Sequence, residues 1–255
     1  MERKYAWHNY DDATMEKVYA LSDTYRQFLD NGKTERECVV QAVEFAEAKG
    51  YVNLNDIIKS NTSIKTGDKI YYTHMDKSIA LFNIGTDDIE LGMNILGAHI
   101  DSPRIDIKQN PLYEKEGFAY LDTHYYGGIK KYQWVTIPLS MHGVFVKKDG
   151  TVINISIGEE DNDPVFTITD LLIHLSASQL QKKASEVIEG ENLDLLVGSI
   201  LLKDEEKDPI KANILKLLKE KYDIEEDDFL SAELELVPAS KARDLGFDKS
   251  MILGY

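Results

Sequence analysis

The chain has 255 residues, 43% of them hydrophobic, and a formal net charge of −16 at pH 7. This composition supports a folded core, while the acidic excess argues against binding to nucleic acid or to an anionic membrane surface. The single cysteine excludes an internal disulfide, and the lack of a secretory apolar region or of an apolar run long enough to cross a membrane predicts a cytoplasmic protein.

Two helices are predicted near the start of the chain. Apolar residues recur at helical spacing over residues 12–30, and Gly32 follows as a stop signal. Thr34 and Glu37 have the spacing of a capping box, which predicts the start of a second helix. Cys38 lies on one face of that helix and is expected to be a core residue rather than a nucleophile.

Three strands are predicted next. The runs Lys69–His74 and Ser78–Ile84 have the composition of strands. The short apolar run Met93–Leu96 lies between Gly92 and Gly97, and this pattern predicts a buried strand. A strand there places the segment that follows it at a carboxyl end, where open α/β sheets keep their ligand sites.

The later part of the chain is predicted to be richer in strands. Asp149-Gly150 separates the strand-like runs Ser140–Lys147 and Thr151–Ile157, which is a strong hairpin signal. The remaining predicted elements are a helix over Phe166–Ala184, a helix over Pro209–Tyr222 with Asp208 as its N-cap, and a strand over Ala232–Val237.

His99 and Asp101 are the first candidate site residues. In an extended chain, residues two apart point the same way, so the Asp101 carboxylate can lie beside the His99 imidazole. A carboxylate that accepts one ring N–H leaves the other ring nitrogen for a metal. A zinc site needs three or four ligands, and the sequence has no His-Glu-x-x-His pair or cysteine cluster to supply the others.

Two further segments have open interpretations. Leu121–Trp134 groups aromatic residues around Gly127-Gly128, which is typical either of a loop that lines a cleft or of an aromatic turn packed on the hairpin. His174 lies in the predicted apolar helix, where a histidine is more often a core residue than a ligand.

In combination these segments resemble the amino-terminal part of the aspartyl aminopeptidase-type zinc metallopeptidases. The motif from His99 to Pro103, followed by a Tyr-Gly-Gly element, is the most specific part of the likeness. The segments that carry it are Ala6-Trp7, Thr34–Glu37, Lys69–Gly85, His99–Pro103, Tyr125–Ile129, Ile168–Leu175 and Met251–Tyr255.

The resemblance implies the fold, the domains and the assembly. The fold class it implies is α/β, part of a three-layer zinc-peptidase-like catalytic domain interrupted by a strand-rich dimerisation domain with helices. Residues 1–107 and 238–255 would form an incomplete catalytic domain, and residues 108–237 the inserted dimerisation domain. The family implies a homo-oligomer through this insert, a dimer that assembles into a dodecamer in the full-length enzyme.

The resemblance also implies the roles of the site residues. The family's site holds two zinc ions, for which cobalt or manganese are alternatives, and His99 would be a ligand of one of them. Asp101 would orient His99, and His174 would reach the active site of the neighbouring subunit to hold the substrate. Such enzymes remove amino-terminal residues from peptides through a water activated by the two metal ions.

Acidic amino-terminal residues are the preference for which the family is named. Arg104, Lys130 and Lys131 are the candidates to hold an acidic side chain, although exposed basic residues are the ordinary expectation. Binding of an acidic side chain to this acidic chain would need such a local basic pocket.

The family pattern places the bridging aspartate and the remaining ligands after the position of Tyr255. The chain is therefore expected to be about the first half of a longer enzyme and to be inactive alone. Two alternatives stay open, a non-catalytic assembly fragment and another two-zinc amidohydrolase.

Overall fold

The computed structural model describes residues 5–255 and divides them into two compact units. The first unit runs to Asp101 and includes Lys241–Tyr255, and the second unit is Ser102–Ser240. Helices and several sheets occur together, so the predicted mixed α/β class is confirmed. The catalytic and dimerisation roles of the two segments remain predictions.

The described residues form the following longer elements. The helices are α1 (Asp12–Asn31), α2 (Glu35–Ala48), α3 (Leu54–Lys59) and α4 (Pro209–Tyr222). The strands are β1 (Val52–Asn53), β2 (Lys69–His74), β3 (Ser78–Asn83), β4 (Arg104–Lys115), β5 (Phe118–Tyr126), β6 (Leu139–Val146), β7 (Val152–Ile157), β8 (Leu195–Gly198), β9 (Glu233–Pro238), β10 (Arg243–Leu245) and β11 (Met251–Leu253). Among these helices, none has the length and apolar character that a membrane crossing requires.

Helices α1 and α2 of the first unit begin where the sequence predicts, and nearby side chains cap both starts. The Asp11 carboxylate accepts the N–H of Thr14 at 2.9 Å at the start of α1. The predicted capping box of α2 is present, since the Glu37 carboxylate accepts the N–H of Thr34 at 3.1 Å and the Thr34 hydroxyl accepts the N–H of Glu37 at 3.4 Å. These side chains satisfy N–H groups that a helix start leaves without partners.

Two small sheets complete the first unit. In the first, β2 pairs parallel with β1 and antiparallel with β3, which confirms the two strands predicted between residues 69 and 84. Ile70 and Tyr71 of β2 are buried. In the second, β10 pairs antiparallel with β11.

A six-stranded sheet organises the second unit. Its order is β7-β6-β9-β4-β5-β8 and all its neighbouring strands are antiparallel. The predicted hairpin at Asp149-Gly150 joins β6 to β7, and the predicted strand near residue 235 is β9. Fully buried Ile105, Leu139 and Leu236 lie on three adjacent strands, so the core follows the centre of the sheet.

Helix α4 has the predicted bounds but a different cap. Asp208 adopts a left-handed conformation at φ 47° and its side chain makes no capping hydrogen bond. The Glu114 carboxylate of β4 caps the helix instead, accepting the N–H groups of Ile210 at 2.7 Å and Lys211 at 3.1 Å. A side chain distant in sequence therefore satisfies the first turn.

Two predicted elements are wrong. The Met93–Leu96 segment is not a strand, and Ile95 and Leu96 are 83% and 100% exposed. A short apolar run needs a neighbouring strand to satisfy its backbone, and none of the described strands pairs with it. The Phe166–Ala184 helix is absent because Phe166 exchanges backbone hydrogen bonds with Leu139, and only 3-10 turns follow.

Candidate functional site

The structure brings His99 and Asp101 together at the end of the first unit. The Nδ1 atom of His99 lies 2.9 Å from the backbone carbonyl oxygen of Asp101 and 3.3 Å from its carboxylate oxygen Oδ1. Both neighbours are acceptors, so they favour the tautomer with the proton on Nδ1. The predicted proximity of the two side chains is confirmed, although the main-chain oxygen is the closer partner.

This geometry leaves Nε2 of His99 able to act as a ligand. The His99 side chain is 83% exposed, and a neutral imidazole held at Nδ1 presents its other nitrogen as a donor to a metal. A nitrogen donor with a carboxylate beside it suits zinc. Within residues 5–255, His99 belongs to no group of three or more His, Cys, Asp or Glu ligand atoms that lie within 4.8 Å of one another. The described residues thus offer one oriented ligand here.

The Tyr-Gly-Gly segment forms a cleft in the second unit. Strand β5 ends at Tyr126, and Gly127 then turns the chain with a φ of 73°. Tyr125, the glycine pair, Ile129 and the residues that follow line a cavity of about 400 Å³ with Ala184 and Ser185. The cleft-lining alternative from the sequence agrees with this arrangement.

The three basic candidates differ in environment. Arg104 is buried, its Nε lies 2.9 Å from Asp106 and its Nη2 3.2 Å from Glu235, and its guanidinium stacks 4.4 Å from the Tyr126 ring centre. Its charge is compensated within the second unit, so Arg104 is not a candidate for an acidic substrate side chain. Lys130 and Lys131 both line the Tyr-Gly-Gly cleft.

His174 lies on the surface of the second unit. It occupies the short 3-10 helix Ile173–Leu175 and is exposed, as are both of its apolar neighbours. The interpretation of His174 as a core histidine is therefore wrong. His99 and His174 belong to different units.

The second unit contains a buried polar cluster that the sequence analysis did not identify. Nε2 of His142 lies 3.1 Å from the Ser140 hydroxyl and 3.0 Å from a carboxylate oxygen of Glu159, and that hydroxyl donates to Glu159 at 2.6 Å. Ser140 is fully buried, so it is not accessible as a nucleophile. The Ser-x-His spacing on one strand was the available signal, because it places both side chains on one face.

Cys38 is a structural residue, as predicted. Its thiol donates to the backbone oxygen of Gly32 at 3.2 Å. Burial, with smaller contributions from Glu37 and Glu35, raises the pKa of Cys38 to about 11. A thiol with that pKa is a poor nucleophile at neutral pH.

An imidazole held through one ring nitrogen, with the other nitrogen open, is the arrangement in which histidines ligate metals. A family model described as aminopeptidase I zinc metalloprotease (M18) matches residues 28–255, and the chain belongs to this peptidase family. The resemblance stated from the sequence is thereby confirmed.

Individual relatives agree over the full chain. A probable M18 family aminopeptidase 1 of Clostridium acetobutylicum is 58% identical over 255 residues, and its counterpart from Thermotoga maritima is 46% identical over 255 residues. These matches cover 100% of the chain but 55% and 54% of the two relatives. The chain therefore spans about half the length of the curated relatives it matches.

Solved structures share the fold. A crystal structure of the Thermotoga maritima M18 aminopeptidase aligns with a TM-score of 0.92 over 99% of this chain and 54% of that one, at 46% identity. A crystal structure of aminopeptidase I from Clostridium acetobutylicum gives a TM-score of 0.89 at 58% identity over 100% of this chain and 56% of that one. A yeast structure described as a dodecamer is 16% identical with a TM-score of 0.62 and supports the fold alone.

Proposed function

We propose that the whole protein to which this chain belongs is a metallo-aminopeptidase that removes amino-terminal residues from peptides. The observation that carries the proposal is the oriented His99, with Nδ1 held at 2.9 Å, in a chain that belongs to a zinc metalloprotease family. Two zinc ions, or cobalt or manganese in their place, would lower the pKa of a bound water so that hydroxide is available near neutral pH.

The residues of this chain have separate roles in the proposal. His99 is a ligand of one zinc ion through Nε2. Asp101 is a positioning residue that holds the imidazole in the required tautomer. Residues 1–107 and 238–255 belong to the catalytic domain. The other metal ligands and the general base come from outside the 255 residues, so the chain alone binds zinc weakly and does not turn over.

His174 has its role in an assembly. We propose that residues 108–237 form a dimerisation domain and that His174 of one subunit holds substrate at the site of its neighbour. Its exposure on an apolar turn is consistent with contact to another subunit. The yeast relative is described as a dodecamer, and a higher assembly of the whole protein is part of the proposal.

Acidic amino-terminal residues are the proposed substrate class. Lys130 and Lys131 at the Tyr-Gly-Gly cleft are the remaining basic candidates, since Arg104 is compensated by buried acids. A comparison of peptides that begin with aspartate, leucine and lysine on the whole protein tests this preference. Equal rates for all three would contradict it.

Zinc stoichiometry and aminopeptidase activity, measured on the same samples, test the main proposal. We expect about two zinc ions per subunit and turnover in the whole protein, and substoichiometric zinc without turnover in the 255-residue chain. His99→Ala in the whole protein removes a ligand and should abolish turnover, while His8→Ala is the matched control on the same unit. Full activity of His99→Ala would overturn the assignment.

The two alternatives predict different results in the same assays. An assembly fragment would form oligomers but give neither zinc binding nor activity even within the whole protein. Another two-zinc amidohydrolase would bind zinc and hydrolyse acylated amino acids in preference to peptides. A substrate screen on the whole protein therefore separates the two hydrolases.

A further inference from the structure

The second unit contains an apolar cavity that the proposed function does not use. It has a volume of about 500 Å³ and lies between α4 and the six-stranded sheet. Protein interiors are densely packed and rarely leave a void much larger than a water molecule. Ligand pockets for small molecules have volumes of about 300–1,000 Å³. The cavity has the size of a binding site rather than of a packing defect.

The lining separates an apolar body from a polar end. Met141 and Phe145 of β6 and Ile155 and Ile157 of β7 contribute buried side chains, and Ile214 lines the cavity from α4. The polar side chains of the lining come from three consecutive residues of the last turn of α4, Glu220, Lys221 and Tyr222. Because an apolar cavity of this kind holds water poorly, its body favours a hydrocarbon chain.

The cavity opens to solvent beside α4. Leu217 and Lys221 both line it and both are exposed. A molecule can therefore enter without displacing the core of the sheet, and its polar end would remain near Lys221.

Within residues 5–255, Lys221 is the one cationic side chain of the lining and can meet an anionic headgroup, with the carboxylate of Glu220 next to it in sequence. Among the described residues, no carboxylate lies within ion-pair distance of Lys221. Glu220, in contrast, pairs with Lys216 at 3.8 Å. Lys221 Nζ lies 5.2 Å from the centre of the Tyr222 ring, and a hydrogen bond to Tyr222 and, more weakly, the charge of Asp163 raise the pKa of Lys221. The Asp163 carboxylate itself accepts the N–H groups of Gly158 at 3.1 Å and Glu160 at 3.4 Å.

We propose that this cavity binds a single-chain anionic amphiphile, with its alkyl chain between α4 and the sheet and its carboxylate at Lys221. The proposal is independent of the zinc site, since His99, Asp101 and His174 do not line the cavity. The ligand class is a medium-chain fatty acid.

Calorimetric titration of the 255-residue chain with decanoate and with decanol, both below their aggregation concentrations, tests the proposal. We expect saturable binding of decanoate at one site per chain and weaker binding of decanol. Lys221→Met keeps an apolar stem at this position but removes the charge. It should weaken the binding of decanoate about tenfold and leave the affinity for decanol unchanged. Lys203 is an exposed lysine outside the cavity, so Lys203→Met is the matched control and should leave the affinity for both ligands unchanged.

A second variant tests the body of the cavity. Leu217→Trp places a larger side chain at the opening from a half-exposed position, and it should weaken both ligands at least about tenfold with an unchanged circular dichroism spectrum. No binding of decanoate to the unmodified chain would overturn the proposal. Equal affinity of decanoate and decanol, or unchanged binding to Leu217→Trp, would also overturn it.

Discussion

The ring of His99 is held by two oxygens of one residue. The main-chain oxygen of Asp101 lies closer to Nδ1 than its carboxylate does, at 2.9 Å against 3.3 Å. The backbone contact alone is enough to select the tautomer. The carboxylate adds negative charge beside the ring, which would strengthen the attraction of this site for a metal cation.

Asp101→Asn tests this division of roles in the whole protein. The backbone contact persists, so the imidazole should keep its orientation while it loses the adjacent charge. We expect zinc affinity to fall about tenfold, near the low end of the range of about 10- to 100-fold for such partners. Competition with a chelator measures the affinity. Asp87→Asn is the control on an exposed aspartate of the same unit, and equal affinities of the two variants would contradict the role.

Gly143 is the residue at which a single methyl group is expected to be most harmful. It adopts a φ of 137°, and a Cβ there would lie 1.9 Å from the backbone oxygen of Glu233 on the paired strand β9. Gly143→Ala thus adds backbone strain of about 1–3 kcal/mol and steric overlap of about 1–3 kcal/mol. We expect the free energy of unfolding, measured with urea, to fall by about 2–6 kcal/mol.

Gly150→Ala separates these two effects. Gly150 has a φ of 87° in the hairpin turn, and a Cβ there meets no atom within 4 Å. Only the backbone strain remains, so the free energy of unfolding should fall by about 1–2 kcal/mol. Equal losses for the two alanine variants would show that contact with β9 contributes nothing.

At the scale of elements, an ion-pair group joins the end of β6 to the end of α4. Asp223, the residue after α4, pairs with Lys147 and, at 2.6 Å, with Lys219. Hydrogen bonds from these two lysines lower the pKa of Asp223 to about 2. A folded-state pKa below the ordinary value of 3.8 stabilises the fold above pH 3.8, and this contribution is lost as pH falls towards 2.

Asp223→Asn should therefore destabilise the chain in a pH-dependent way. The left-handed conformation at this position, with a φ of 56°, is tolerated by asparagine. Urea unfolding at about pH 6 should separate the variant from the unmodified chain, and the difference should shrink at about pH 3. Asp227→Asn is the control, because that acid also pairs with a lysine on the hairpin at 3.1 Å and is exposed. A difference that does not depend on pH would contradict the explanation.

The sequence predicted those elements whose signals are local. The capping box at Thr34 and the Asp149-Gly150 turn act over a few residues, and both are present. Failures occurred where the partner is distant. The cap of α4 comes from Glu114, 96 residues before Ile210, and no nearby sequence signal indicates it. The helix predicted from Phe166 likewise does not form, because Phe166 pairs in an antiparallel bridge with Leu139, which lies on an earlier strand.

The candidate site was predictable in part for the same reason. The contact between His99 and Asp101 depends on residues two apart, and the extended chain enforces it. The burial of Arg104 against Glu235 depends on the pairing of β4 with β9, which the sequence does not reveal. His174 is exposed in a short 3-10 helix instead of lying in the longer helix predicted from the sequence.

At the scale of the whole molecule, the proposed dimer has a candidate contact in the exposed apolar side chains around His174. Leu172, Ile173 and Leu175 are exposed by 70%, 66% and 68% around His174. Contiguous apolar side chains on a surface mark interaction sites more often than isolated ones do. A partner subunit that covers this turn would bury it and bring a histidine to the contact.

Ile173→Asp tests the association. A charge in the centre of an apolar contact loses its hydration without gaining a partner, so the dissociation constant of the dimer should rise at least about tenfold, or about 1.4 kcal/mol. Sedimentation velocity over a concentration series measures that constant on the 255-residue chain. Ile200→Asp is the matched control, because Ile200 belongs to the same unit, is 73% exposed and is not part of the 3-10 helix that holds His174. A monomeric unmodified chain, or equal weakening by both variants, would place the subunit contact elsewhere than at the His174 turn.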